Sequence, residues 1–515
     1  MTPRNRREFM GDVGRGMLVA GIGTSTAGMM GFSTAFAEEG DESLSFGQLD
    51  GLVDLMQSTP PDKLQPLLVK KLQAGETDLP QLVSAAALAN AETFGGQDYV
   101  GFHTAMAMLP ALEIARVVPR ERQPLPVLKV LYRNSGQIQE KGGASRKTLR
   151  PLTAQSDSAG QTGEQLRQAV RDVNMNGAEQ IFAGMMQGST EDAYNHLQSI
   201  VQDDINVHRF VLAHRSYRLV NLLGAEHAHT ILRQCVRFCV EHERNRTSRN
   251  RPPSPIRTVL PALFDEYGLE SVSLGKKDPG DEWVAALSET IYGSPPEQAA
   301  EAVAAAFAEG VDPEVIGEAI SLAANLLVLR QGTEKWRTHG DSAGVHSSDA
   351  ANAWRNMARV TNDRNAIAGL IVGAFHTARF NEFSGAPYPT EDHLAQIKTT
   401  DPQKLLLEAA DAVEQNDQAR AAAAVHLYGA QGGSPGAVFD VMAKYTVSED
   451  GRLHGEKYFQ TVREEYDTTR EAFRWRQMVG LARVTASAYG YDREDNHGHR
   501  APGYADACRL LGVEA

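Results

Sequence analysis

Three histidines in this chain occupy corresponding points of similar segments, and an imidazole at a helix start is a group that can do chemistry. The segments run from His103 to Arg116, from His208 to Asn221 and from His346 to Arg359. Each histidine follows a small or polar residue and an apolar one, in Gly101-Phe102, Asn206-Val207 and Gly344-Val345. Each then opens about four helical turns, a break and a second apolar helix. A weaker fourth copy starts at His454, followed by Gly455-Glu456-Lys457-Tyr458. If such helices enter one bundle in the same sense, their imidazoles gather where helix dipoles favour an anion or a polarised oxygen. Neutral imidazole also ligates zinc, copper or iron, and three of them leave a coordination position open. His103, His208 and His346 are therefore the candidate catalytic residues, as general acids or bases, and the candidate ligands of an iron, copper or zinc cofactor. Taken singly, each would be expected only to begin or cap its helix. Recurrence lifts the set above that reading.

Other constellations are weaker. His208, Cys239 and His242 fall level if Gly224 closes an antiparallel hairpin, which makes a second metal site conceivable, although buried cysteine usually only packs. Glu226-x-x-His229 and Glu494-x-x-His497 match half of a di-iron pattern, but that chemistry needs a full four-helix carboxylate set. The chain has no Walker loop, no strand-borne dinucleotide fingerprint, no nucleophile elbow and no Cys-x-x-Cys-His. With only Cys235, Cys239 and Cys508, it is not a disulfide scaffold. The run RNRTSRNRPPSPIR carries Arg244, Arg246, Arg249, Arg251 and Arg257; it reads as a non-helical solvated loop against an acidic body, or as an anion-binding strap.

The elements that must position these residues are helices almost throughout. Apolar residues recur at spacings of three and four over 81–91, 100–118, 205–223, 225–241, 313–329, 349–360, 366–380 and 473–489. No series of alternating strands appears. Breakers at Gly142-Gly143, Pro252 to Pro255, Gly340 to Gly344, Gly385 to Pro389 and Gly432 to Gly436 divide the chain into helix pairs. The expected fold is all-α, repeated helix hairpins packed as a bundle or toroid. The expected divisions are a leader over 1–37, helical halves over 38–245 and 281–515, and an Arg/Pro-rich connector over 246–280, with one continuous domain over 38–515 as the alternative.

The N-terminus reads as a twin-arginine export leader. Arg6-Arg7 precede Glu8-Phe9-Met10, a weakly apolar glycine-rich stretch follows, and Ala35-Phe36-Ala37 is a small-x-small cleavage signal. Export by that machinery to the periplasm or another extracytoplasmic compartment, with cleavage after Ala37, is the expectation. The route carries folded cargo, which favours a cofactor loaded inside the cell. The net charge of −14 argues against nucleic acid as a partner, and no stretch after the leader is apolar for long enough to hold a membrane.

Gly101-Phe102-His103, Val207-His208-Arg209, His227-Ala228 with Leu232-Arg233, and His346 with Ala351-Asn352-Ala353 resemble an uncharacterised family of exported helical bacterial proteins. More remotely, histidine-started helix pairs over about 81–489 resemble the questin-oxidase-like proteins, helical oxidases linked to Baeyer–Villiger-type ring cleavage. The resemblance implies an oxidoreductase with His103, His208 and His346 at its site; His227 belongs only to the nearer pattern. The export leader departs from those intracellular oxidases and argues against NADPH. Two readings follow: an exported oxidoreductase acting on an apolar organic substrate in a histidine-lined pocket, with or without a metal, or a non-catalytic helical scaffold that binds a peptide or protein. Convergence of the histidines would favour the first and dispersal the second.

Overall fold

The computed structural model describes residues 43–154, 160–332, 342–380, 385–490 and 500–515. The leader, with its cleavage point, and the Glu494-x-x-His497 match lie outside the described residues. Residues Leu44–Ala515 form one compact unit. The described residues are folded into 23 α-helices with no strand, and none of these helices is long and apolar enough to cross a membrane.

Four helix hairpins position the histidines. The first pairs α1 (Tyr99–Ala115) with α2 (Pro124–Glu140), the second α3 (Val207–Leu223) with α4 (Ala228–Ser248). The third pairs α5 (Ala343–Ala358) with α6 (Asp363–Ala378), the fourth α7 (His454–Thr468) with α8 (Glu471–Ala488). The odd-numbered helices carry the histidines, and they close on one another: α1 packs on α3, α3 on α5, α5 on α7 and α7 on α1. Their sequences explain the central position. Fourteen of the 17 residues of α1 are buried, and a helix that is apolar all round is stable only with neighbours on every side.

The caps fix where each helix begins. Asp98 accepts from the Gly101 amide at 2.8 Å, Asn206 from the His208 amide at 2.9 Å, and Ser342 from the Val345 amide at 3.2 Å. Capping therefore falls to Asp98, Asn206 and Ser342, which leaves the histidine rings available for other work. For α7 the turn is made by Leu453, whose φ of 63° is left-handed.

All four helices run in the same sense, and the register is visible in the side chains. Ten residues beyond each histidine stand Glu113, Arg218, Asn356 and Glu464. Arg218 is ion-paired to Glu464 and lies 3.9 Å from Glu113, while the Asn356 amide donates to Glu464 at 3.3 Å. The histidine level and this level are thus about 15 Å apart, one polar layer at each end of the ring.

Three sequence expectations change here. The arginine run stays helical through Ser248, because Arg244 and Arg246 pair with Glu241 and Glu243 one turn earlier and the prolines begin only at Pro252. The supposed connector also holds a helix of its own, Ile256–Glu266. Gly344, expected to belong to a break, lies inside α5. A Cβ there would stand 2.7 Å from the Val328 amide nitrogen, so glycine permits α5 to approach the helix Pro313–Arg330.

Candidate functional site

The sequence-predicted histidines His103, His208 and His346 come together, and the fourth echo joins them. Ring centres lie 4.7 Å apart for His103 and His208, 5.9 Å for His208 and His346, 5.3 Å for His346 and His454, and 5.5 Å for His454 and His103. The four imidazoles form a closed quadrilateral at the N-terminal end of the helix ring. His103 and His454 are buried at 4% and 2% exposure, and His208 and His346 are half-buried.

The hydrogen bonds define one tautomer. His103 Nδ1 lies 2.7 Å from the Tyr99 carbonyl oxygen, which can only accept, so Nδ1 carries the proton. His103 Nε2 is then a lone pair, aimed at His208 Nε2 at 3.1 Å. A histidine whose far nitrogen is tied to a backbone carbonyl has its near nitrogen oriented and made more basic.

The electrostatics keep His103 and His208 neutral. Burial pushes the His103 imidazole well below its ordinary range, and the Lys457 ammonium, His208 and His346 push it further, against the Tyr99 carbonyl. His208 is lowered in the same direction by burial, then by His346, Lys457, His242 and His376. Lys457 stands one turn below His454, and burial brings it down to about 8 although Asp349 and Glu456 oppose the shift. Asp349 accepts from the Thr461 hydroxyl at 2.8 Å, and burial raises its carboxyl.

Two more histidines flank the cluster, His376, which sequence reasoning did not single out, and His242, which it placed only in the conceivable set with Cys239. His376, near the end of α6, is 2% exposed, lowered by burial to about 3, and has no hydrogen-bond partner on Nδ1 among the described residues. His242, near the end of α4, lies 3.1 Å through Nε2 from the Asn206 amide nitrogen and is lowered by burial to about 4. Both sit where the return helices come back to the histidine end, a position that helical length alone would have indicated. Lys457 and Asp349 were legible in the same way, each three residues after a helix-start histidine.

As the side chains stand, no group of three or more His, Cys, Asp or Glu residues among the described residues is arranged to hold a metal ion. The expected triad of His103, His208 and His346 therefore converges by its rings without presenting three nitrogens to one point; His103 and His208 bring their Nε2 atoms to 3.1 Å. The conceivable His208–Cys239–His242 set does not assemble either. The Cys239 thiol faces the Ile200 carbonyl at 4.0 Å, and burial raises it to about 11.

A cleft of about 950 Å³ opens beside the cluster. Tyr99 and Phe102 line it and also pack on the histidines, with ring centres 4.3 and 4.8 Å from His103 and 6.1 and 5.3 Å from His208. Asn206 and His242 line it as well. Aromatic side chains thus separate the cleft from the imidazoles by one ring.

No family model matches the chain, and comparison with curated proteins and with solved structures finds no match.

Proposed function

We propose that this protein is an exported oxidoreductase whose reacting centre is the four-histidine cluster, with a transition metal held by His103 and His208 and completed by His346 and His454. The observation that carries the reading is the closed quadrilateral of largely buried imidazoles with the His103 tautomer set by Tyr99. Four imidazoles on one ion, with bonds of about 2.0–2.1 Å, keep ring centres about 4.5–6.5 Å apart and neighbouring nitrogens about 3 Å apart. The separations given above fall within those ranges. Turning His346 and His454 about χ2, a broad and soft torsion, moves nitrogens without moving ring centres. An all-nitrogen donor set suits iron, copper or zinc, of which iron and copper support redox chemistry. The export leader and the remote likeness to questin-oxidase-like proteins agree with this reading.

Metal analysis of protein recovered from its native export route tests the proposal. About one iron, copper or zinc ion per chain is expected, lost in His103→Ala/His208→Ala. A wild-type protein that arrives metal-free and takes up none of the three overturns it. One observation favours a second reading, metal-free acid–base catalysis: the 3.1 Å contact is also the length of an N–H···N hydrogen bond from His208 to His103. Metal-free protein that turns over an organic substrate, with the activity abolished by His103→Gln, would select it.

A further inference from the structure

The arginines of the run after α4 divide into two groups. Arg244 pairs with Glu241, Arg246 with Glu243, and Arg257 with both Asp203 and Glu243. Arg249 and Arg251 form no ion pair among the described residues, and both line the cleft beside the histidine cluster. Arg246, held by Glu243, and Arg379, which donates to the Ile205 carbonyl at 3.0 Å, line it too, so the lining carries four arginines and one carboxylate, Asp204. Asp204 is already engaged: it accepts from the Ile205 amide at 2.6 Å and lies 3.6 Å from His242 Nδ1. In a chain of net charge −14 this rim is a local reversal of sign, which draws anions and repels cations. The floor is aromatic, since Phe102 packs edge-on against Phe238 at 5.1 Å and Tyr99 is 63% exposed.

A cationic rim over an aromatic floor selects a flat organic molecule with a negative end. We infer that the cleft binds a planar aromatic carboxylate, with Arg249 and Arg251 holding the carboxylate and Tyr99 and Phe102 stacking the ring, next to the imidazoles. Guanidinium matches a carboxylate with paired N–H donors, and a ring of this kind gains from stacking without needing a buried polar partner. The inference deepens the proposed oxidoreductase reading by naming its substrate class. It rests on that reading only for what happens after binding.

The probe is 2-naphthoate, followed by its fluorescence anisotropy on the exported mature protein, with 2-naphthalenemethanol as the neutral counterpart. Naphthoate is expected to bind at least tenfold more tightly than the alcohol at low salt, and the preference should shrink as salt is raised. Arg249→Gln/Arg251→Gln should weaken naphthoate at least tenfold and leave the alcohol unchanged. Tyr99→Ala should weaken both, and Arg244→Gln, whose partner is Glu241, should weaken neither. No naphthoate binding at millimolar concentration, equal binding of the two probes, or an unaltered affinity in the double variant overturns the inference. Metal content, measured on the same samples, reports separately on the histidine centre: its loss with binding intact would overturn the metal and leave the substrate class standing.

Discussion

At the residue scale the centre depends on imidazoles staying uncharged. His103 and His208 are lowered by burial and by their neighbours, and His376 and His242 are brought down to about 3 and about 4. The unfolded chain binds protons on these histidines at about pH 6.5, whereas the folded chain does not. Protons therefore favour unfolding in the window between the unfolded and the folded values, and stability that is fully present above about pH 6.5 is lost as the pH falls. Each such histidine contributes about 1.4 kcal/mol per pH unit of difference. Thermal unfolding measured from pH 7.5 to 5 should show a midpoint that holds down to about pH 6.5 and falls below it, and His103→Gln/His208→Gln should flatten that fall. A midpoint that holds level over that range would mean that the rings are already charged in the fold. A metal held as proposed should leave over the same window, since only the neutral ring ligates.

At the scale of elements, the glycines two residues before His103 and His346 matter as much as the histidines. A Cβ on Gly101 would stand 2.7 Å from the Phe94 ring, and one on Gly344 would meet the Val328 backbone. Gly344→Ala should thus push α5 away from Pro313–Arg330, cost about 1–3 kcal/mol and, by displacing His346, weaken the proposed metal binding. Denaturant titration and metal titration of the one variant check both parts. Unchanged stability would show that the backbones separate at no cost. The sequence displayed this much: helical periods over eight segments, the hairpin turn at Gly224, and the echo that brought three histidines and a fourth to one end. It could not display the caps, because Asp98, Asn206 and Ser342 compete with the histidines for the same local role and only geometry assigns it. Nor could it separate Arg249 and Arg251 from Arg246 and Arg257, since that depends on whether Glu243 lies under a given turn. Proline in the arginine run breaks the helix only from Pro252 onward, and the pairs with Glu241 and Glu243 carry it to Ser248, which the charge run alone does not reveal.

At the scale of the whole molecule, closure of the ring distinguishes this fold from a solenoid, in which each repeat touches only its neighbours in sequence. Here α7 returns to α1, so the first and last hairpins share one centre. The layer ten residues below the histidines ties that closure. Glu464 of α7 meets Arg218 and Arg215 of α3 and Asn356 of α5, and the adjacent Glu465 accepts from Asn352 at 2.9 Å and pairs with Arg355 at 2.7 Å. Burial alone would raise the Glu464 carboxyl, but Arg215, His214 and Arg218 hold it at about 2. Its contribution is accordingly present above the ordinary carboxylate range and lost as the pH falls toward 2. Arg215 is 2% exposed, so neutralising its partner strands a charge inside the fold. Glu464→Gln should cost about 2–4 kcal/mol at pH 7, whereas Glu408→Gln, at the more exposed pair with Arg420, should cost no more than about 1 kcal/mol. Urea unfolding of the two variants decides the matter. Equal losses would mean that the ring is closed by apolar packing alone, and a Glu464→Gln loss that vanishes near pH 2 would assign the closure to this charge.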